Sequence, residues 1–203
     1  VVGPVALAET RVLLAGAALL LYAGAMRVDI GLRRRWKSFL VIGILNSAIP
    51  FIAIGAGELY LTSGLAAILN ATTPLFGALV AALWVHERLT IGKIVGLGIG
   101  LLGVVALMGW SALPATLSSA LAVGAALLGA LSYGLAGVYA RRAFVGVSPL
   151  ATATGQQLGA ALALTPLALP VVATTAPWTH LTAQVTWAIV ALSILCTSAA
   201  YIV

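Results

Sequence analysis

The stretch from Gly57 to Gly103 reads GELYLTSGLAAILNATTPLFGALVAALWVHERLTIGKIVGLGIGLLG, and it decides the fold. An apolar run from about Thr62 to Val85 is followed by a charged turn, HERLT, and a second apolar run from about Ile91 to Trp110. At helical rise the first run is roughly 35 Å long, enough to cross the hydrocarbon core of a bilayer. Pro74 lies near its middle. The charges of the turn cannot stay in lipid, so the chain leaves the membrane and re-enters there. Thr90 is placed to cap the second helix. Gly92, Gly96 and Gly100 recur on one face of that helix, the spacing by which membrane helices approach one another closely. In a soluble helix three such glycines would each cost about 1 kcal/mol without return.

Composition extends this reading to the whole chain. Hydrophobic residues make up 63% and charged residues 7%, where a soluble domain carries about 25% charged. Mean hydropathy is +1.18. The apolar runs do not alternate as the strands of a membrane barrel do, so the expected class is an all-α, polytopic helical membrane protein. The first segment is too long for a cleaved signal peptide. The lone Cys196 lies in an apolar run, so no disulfide framework exists.

Seven spans are expected: Pro4–Met26, Ser38–Ala56, the two described above, Ser119–Ala140, Pro149 to about Pro170, and one from near Val185 still running at Val203. Arg11 apart, every lysine and arginine falls in alternate loops: Arg27, Arg33, Arg34, Arg35 and Lys37, then Arg88 and Lys93, then Arg141 and Arg142. Those loops are expected to face the cytoplasm, with Glu58 and His180 on the outer side. This accounts for the net charge of +6 without a nucleic-acid partner.

The chain also resembles itself. GPVALAETRVLLAGAALL is similar to VSPLATATGQQLGAALAL, with Pro4 matching Pro149 and Arg11 matching Gln156. SFLVIGILNSAIPFI is similar to WAIVALSILCTSAAYI, with Asn46 matching Cys196 and Phe51 matching Tyr201. Pro4 is expected outside and Pro149 inside, so the copies are inverted. Inverted repeats place a substrate site near the midplane and favour alternating access.

SGLAAILNATTPLF, the HERLT turn and the glycine-spaced helix after it resemble the drug/metabolite transporter superfamily, in particular its EamA-like family. The proline, the Glu-Arg pair and the glycines fall in that family's order over about fifty residues. The resemblance implies ten spans in two inverted five-helix repeats, with the third and fourth spans lining the pathway. On that basis residues 1–111 are expected to be a first repeat lacking its first span. Residues 117–203 are expected to be a second repeat lacking its last two.

Several polar residues lie at membrane depth, where they are functional candidates. Asn46, Asn70, Thr73, Pro74, Tyr133 and Tyr201 are candidate pathway residues: Pro74 frees a carbonyl near Asn70, and freed backbone groups with amides and hydroxyls can line a polar cavity. Asn46 and Asn70 are expected to share that cavity. The bland alternative is bonding between helices, worth about 0.6 kcal/mol each. Glu9 and Arg11, with Glu58, are structural or coupling charges. Glu9 is a candidate for proton or ion coupling. Arg11 must reach water, headgroups or a partner, and an Arg11–Glu58 contact is one expectation. Gln156 and Gln157, near the inner end, read as packing residues before ligands. Glu87 and Arg88 read as a lock of the cytoplasmic turn.

No metal or cofactor is expected. His86 and His180 fall on opposite faces of the membrane, and one cysteine adds too little for a site. There is no phosphate-binding glycine loop to drive transport by nucleotide hydrolysis. The function expected is secondary transport of a small metabolite or drug-like solute outward across the cytoplasmic membrane. The alternatives are a membrane-embedded enzyme, disfavoured because His86 and Glu87 point apart, and a non-transporting interaction module. The substrate, the coupling ion and the oligomeric state are not legible.

Overall fold

The computed structural model describes residues 3–87, 90–108, 116–175 and 182–198, and within them every regular element is helical. The helices are α1 (Pro4–Ala25), α2 (Leu32–Gly43), α3 (Ile49–Gly57), α4 (Ser63–Asn70), α5 (Thr73–Trp84), α6 (Ile91–Met108), α7 (Leu117–Ala143), α8 (Pro149–Thr175) and α9 (Ala183–Ser193). Two π-helical turns, Ile44–Ala48 and Ile194–Ser198, follow α2 and α9 directly. Five segments are long and apolar enough to cross a membrane: Pro4–Ala25, Leu32–Gly57, Ser63–Trp84, Leu117–Ala143 and Pro149–Thr174. Ile91–Gly103 and Ala183–Ser198 are shorter apolar helices.

Local chemistry explains the boundaries. α1 starts with Pro4 in its first turn, where a missing N–H costs nothing. The expected helix from Thr62 to Val85 is divided. Thr62 caps α4 by accepting from the Leu65 amide, α4 stops at Asn70, and α5 restarts at Thr73 with Pro74 in its first turn. A proline inside a continuous helix would clash with the carbonyl four residues back, so the break stands where that carbonyl, of Asn70, would be. Thr72 and Thr73 turn their hydroxyls onto the Leu69 and Asn70 carbonyls left at the break. In the second span, helix begins at Leu32 after the left-handed Gly31, so Arg33, Arg34 and Lys37 lie on helical turns rather than in a loop.

The chain forms two compact units. The first joins Val1–Ala48 to Arg142–Val203, and the second is Ile49–Arg141. The first unit therefore draws on both halves of the sequence; packing does not divide the chain where the expected repeats, 1–111 and 117–203, divide it.

In the first unit α1 lies antiparallel on α8: Glu9 bonds Thr165, while Gly16 faces Gln157. The buried face of α1 is Ala8, Val12, Ala15, Leu19 and Ala23, a single helical stripe. α2 approaches α8 at backbone distance. A Cβ on Gly159 would strike the Phe39 carbonyl, and one on Gly155 the Phe39 ring, which stacks on Phe144 at 5.4 Å between centroids. In the second unit α7 supplies the small residues. Gly57 of α3 faces Ala122 and Ala126, Gly129 faces Pro50 and Ile54, and Gly134 faces Phe76 and Gly77.

Among the described residues, the glycine stripe expected to mediate packing meets no close neighbour. A Cβ on Gly92, Gly96 or Gly100 would meet nothing within 4 Å. Close approaches at glycine among the described residues include Gly43 on α2, Gly155 and Gly159 on α8, and Gly129 and Gly134 on α7. The physical reason is the position of α6: among the described elements it packs chiefly on α4, and Gly92 and Gly96 border an open cleft.

Candidate functional site

Two features can carry function, one in each unit. The first is a polar seam where the two π-helical turns meet α1 and α8. Asn46 donates its amide to Gln156 Oε1 at 3.1 Å, and Gln156 donates to Ser47 Oγ at 3.2 Å. Arg11 of α1 donates Nε–H to Thr197 Oγ1 at 2.9 Å.

These bonds are related by the internal repeat. Arg11 corresponds to Gln156, and Ser47, beside Asn46, corresponds to Thr197, beside Cys196. Arg11 on α1 and Gln156 on α8, matched in sequence, thus each bond the π turn that lies in the other half of the sequence. π turns leave backbone carbonyls without their usual partners and recur at functional sites. At Ile44–Ala48 the cause is Pro50, which cannot donate to the carbonyl four residues back. Ile194–Ser198 has no proline within it; there Thr197 and Ser198 donate their hydroxyls to the carbonyls of Leu192 and Ser193, five residues back.

Near this seam are polar atoms with no partner among the described residues. Glu9 is 7% exposed; its Oε1 accepts from Thr165 at 2.7 Å, while Oε2 accepts nothing. Gln157 is fully buried, and neither its amide oxygen nor its nitrogen is bonded. A buried amide left unbonded costs roughly 1–3 kcal/mol. Such a cost marks a place where a solute, a water or a second conformation completes the bonding.

The second feature is a cleft of ≈ 500 Å³ in the second unit. Pro74, Gly77, Ala78 and Ala81 of α5 form one wall, and Gly92, Gly96 and Leu97 of α6 another. Glu87, Lys93 and Arg141 stand at one end. Glu87 accepts from Lys93 Nζ through one carboxylate oxygen, and the other lies 3.9 Å from Arg141 Nη1. The Lys93 ammonium, by hydrogen bond and then by charge, holds the Glu87 carboxyl below its usual pKa, and Arg141 adds to this. The partners described for Glu87 are therefore Lys93 and Arg141; its neighbour Arg88 lies outside the described residues.

The remaining candidates are distributed as follows. Asn46 is in the first unit and Asn70 in the second. The backbone and side-chain oxygens of Asn70 both accept from Thr73. Tyr133 is half-buried on α7. Glu58 is exposed in the second unit, and the described partner of Arg11 is Thr197. Tyr201 and His180 lie outside the described residues. Among the described residues no group of metal-binding side chains comes together.

A family description, the EamA-like transporter family, matches residues 1–109, more than half of the chain. The chain belongs to the EamA-like family. An uncharacterized transporter of Archaeoglobus fulgidus is 30% identical over 105 residues, 50% of this chain and 36% of that relative. The uncharacterized transporter YdfC of Bacillus subtilis is 32% identical over 101 residues, 50% of this chain and 33% of its own length. The matched stretches thus span about a third of these relatives. One solved crystal structure superposes over 99% of this chain and 68% of its own with a TM-score of 0.75 at 24% identity, which shows the fold.

For this EamA-like chain, as an integral membrane protein, the seam is chemically a set of neutral donors and acceptors around one carboxylate and one guanidinium. It can bind a polar solute by hydrogen bonds and can exchange one set of internal bonds for another. Sequence reasoning assigned Gln156 and Gln157 to packing and passed over Ser47, Thr165 and Thr197. The repeat alignment that paired Arg11 with Gln156 held the signal: two polar residues at one repeat position call for two polar partners.

Proposed function

We propose that this chain is the core of a secondary transporter that moves a small metabolite or drug-like solute outward across the cytoplasmic membrane by alternating access. Its basic loops face the cytoplasm. The observation that carries this reading is the reciprocal seam: Gln156 on the π turn of the first repeat, and Arg11 on the π turn of the second. Two repeats that exchange equivalent contacts in this way are suited to rocking between an inward and an outward state.

In this reading residues 1–111 and 117–203 are inverted repeats. Asn46, Asn70, Thr73, Pro74, Tyr133 and Tyr201 are the candidate pathway residues, and Glu9 is the candidate coupling group. The unbonded Gln157 amide supports a polar solute. The protein acts on its solute by moving it, not by reacting it.

The test compares cells overexpressing the protein with cells deleted for it, by untargeted measurement of solutes inside and outside. At least one small polar solute is expected to shift outward on expression and to shift back with Gln156→Leu. Identical internal and external solute profiles in all strains, with the protein present in the membrane, overturn the proposal.

A further inference from the structure

The cleft of the second unit has no part in the reciprocal seam and combines two properties. Its length is walled by Gly77, Ala78, Ala81, Gly92 and Gly96, and its volume of ≈ 500 Å³ is that of a site for one small or slender molecule. The side chains of α6 beside it, Ile91, Ile94, Val95 and Ile99, are large, apolar and at least half exposed, as on a lipid-facing helix. One end is charged. Lys93 and Arg141 flank the single carboxylate of Glu87, leaving one positive charge in surplus, and the Arg141 side chain is 65% exposed. The first turn of α6, capped by Thr90 bonding the Lys93 amide, adds the positive end of a helix dipole at the same place.

We propose that this cleft binds one anionic phospholipid. An acyl chain lies along the glycine and alanine walls, and the phosphate is held between Arg141 and Lys93. A soluble anion would leave the apolar walls empty, and an uncharged lipid would leave the surplus charge unmet. Arginine suits the phosphate because its planar fork offers two parallel donors. Basic pockets between membrane helices on the cytoplasmic side hold lipid headgroups by this chemistry. The open space over Gly92 and Gly96 is then the room the chain occupies. Glu87 keeps the two cations in place and competes with the phosphate for both.

The experiment is native mass spectrometry of the purified chain, released from detergent with phosphatidylglycerol, phosphatidylcholine or inorganic phosphate. The protein is expected to retain one phosphatidylglycerol roughly thirtyfold more than phosphatidylcholine, the preference two basic side chains supply near a membrane surface. K93Q/R141Q is expected to lose that preference and R33Q/R34Q, with equal loss of charge elsewhere, to keep it. Helix content by circular dichroism checks that each is folded. E87Q, which removes the competitor, is expected to retain more phosphatidylglycerol than the parent chain. Equal loss in R33Q/R34Q would mean diffuse surface charge and overturn the proposal. So would displacement of the lipid by equimolar inorganic phosphate, a dimer in place of the lipid adduct, or weaker retention by E87Q.

Discussion

Replacing Gly43 by alanine tests the packing of the first unit where α2 meets α8 backbone to backbone. A Cβ there would stand 2.6 Å from the Gln156 carbonyl oxygen and 2.8 Å from Gly159 C, and closer still to Ala160 N. All three are backbone atoms, so no side chain can swing aside, and α2 must withdraw from α8 by about an ångström to restore van der Waals distance. Overpacking of this kind costs about 1–3 kcal/mol. The same movement carries the Asn46–Gln156 and Gln156–Ser47 bonds, now 3.1 and 3.2 Å, beyond hydrogen-bond reach. Each is worth about 0.6 kcal/mol in a membrane helix bundle. Alanine returns about 1 kcal/mol in helix propensity. The net loss is roughly 1–3 kcal/mol, or a Tm lower by several degrees at about 2–4 °C per kcal/mol for a chain of this size. Gly96→Ala is the control, since it has open space around it, and it is expected to be neutral or slightly stabilising. Thermal unfolding of both variants in detergent, followed by loss of the monodisperse elution peak, reads the difference. Equal Tm values for Gly43→Ala and Gly96→Ala would refute the reasoning.

Three further outcomes are expected. Gln157→Leu removes a buried amide without a described partner, so it is expected to raise Tm while abolishing transport; unchanged transport would detach Gln157 from the pathway. Glu87 has a depressed pKa, so its bond to Lys93 contributes stability that is full above the unfolded glutamate value of about 4.3 and fades as pH falls through the lower folded value. The Tm advantage of the parent chain over Lys93→Gln should therefore be present at neutral pH and disappear in acid, and an advantage that grew in acid would contradict this sign. In a Cys196→Ser background, cysteines at 34 and 142 should resist an impermeant thiol reagent applied outside while one at 60 reacts; the reverse pattern would invert the proposed orientation.

The helices were legible because a lipid-spanning segment must satisfy its backbone internally, which leaves long apolar runs as their own signature. The break at Asn70–Thr73 was half legible: Pro74 announced it, but a proline kinks some helices and ends others, and the threonines that bond the freed carbonyls tip the balance here. The glycine stripes show what sequence cannot decide. Gly92/Gly96 and Gly155/Gly159 carry the same four-residue spacing, yet only the second pair meets a neighbour, Phe39. Spacing says that a face is small; which face finds a partner depends on helices far away in sequence. For Arg11, loop length pointed to Glu58 on the adjacent span, and the partner the structure describes is Thr197, 186 residues away, which loop length does not reveal.

The two halves of the seam are equivalent in position and unequal in chemistry. Gln156 reaches Ser47 through a neutral amide, and Arg11 reaches Thr197 through a cation. A charge-assisted hydrogen bond is roughly twice as strong as a neutral one. Under alternating access, the two end states of an inverted-repeat protein would be related by a two-fold rotation and equal in energy if the repeats were identical. In the proposed mechanism an exchange of π-turn contacts would break one strong bond, Arg11–Thr197, and one weaker one, Gln156–Ser47. Under the proposed alternating access, the state that keeps Arg11 on Thr197 would be favoured, and a solute would have to supply the difference through bonds made in the other state. The unbonded Gln157 amide and the unused oxygen of Glu9 lie on the same two helices, α8 and α1, whose contacts would change. Their unmet bonding capacity is what a polar solute would use to bring the two states back toward balance.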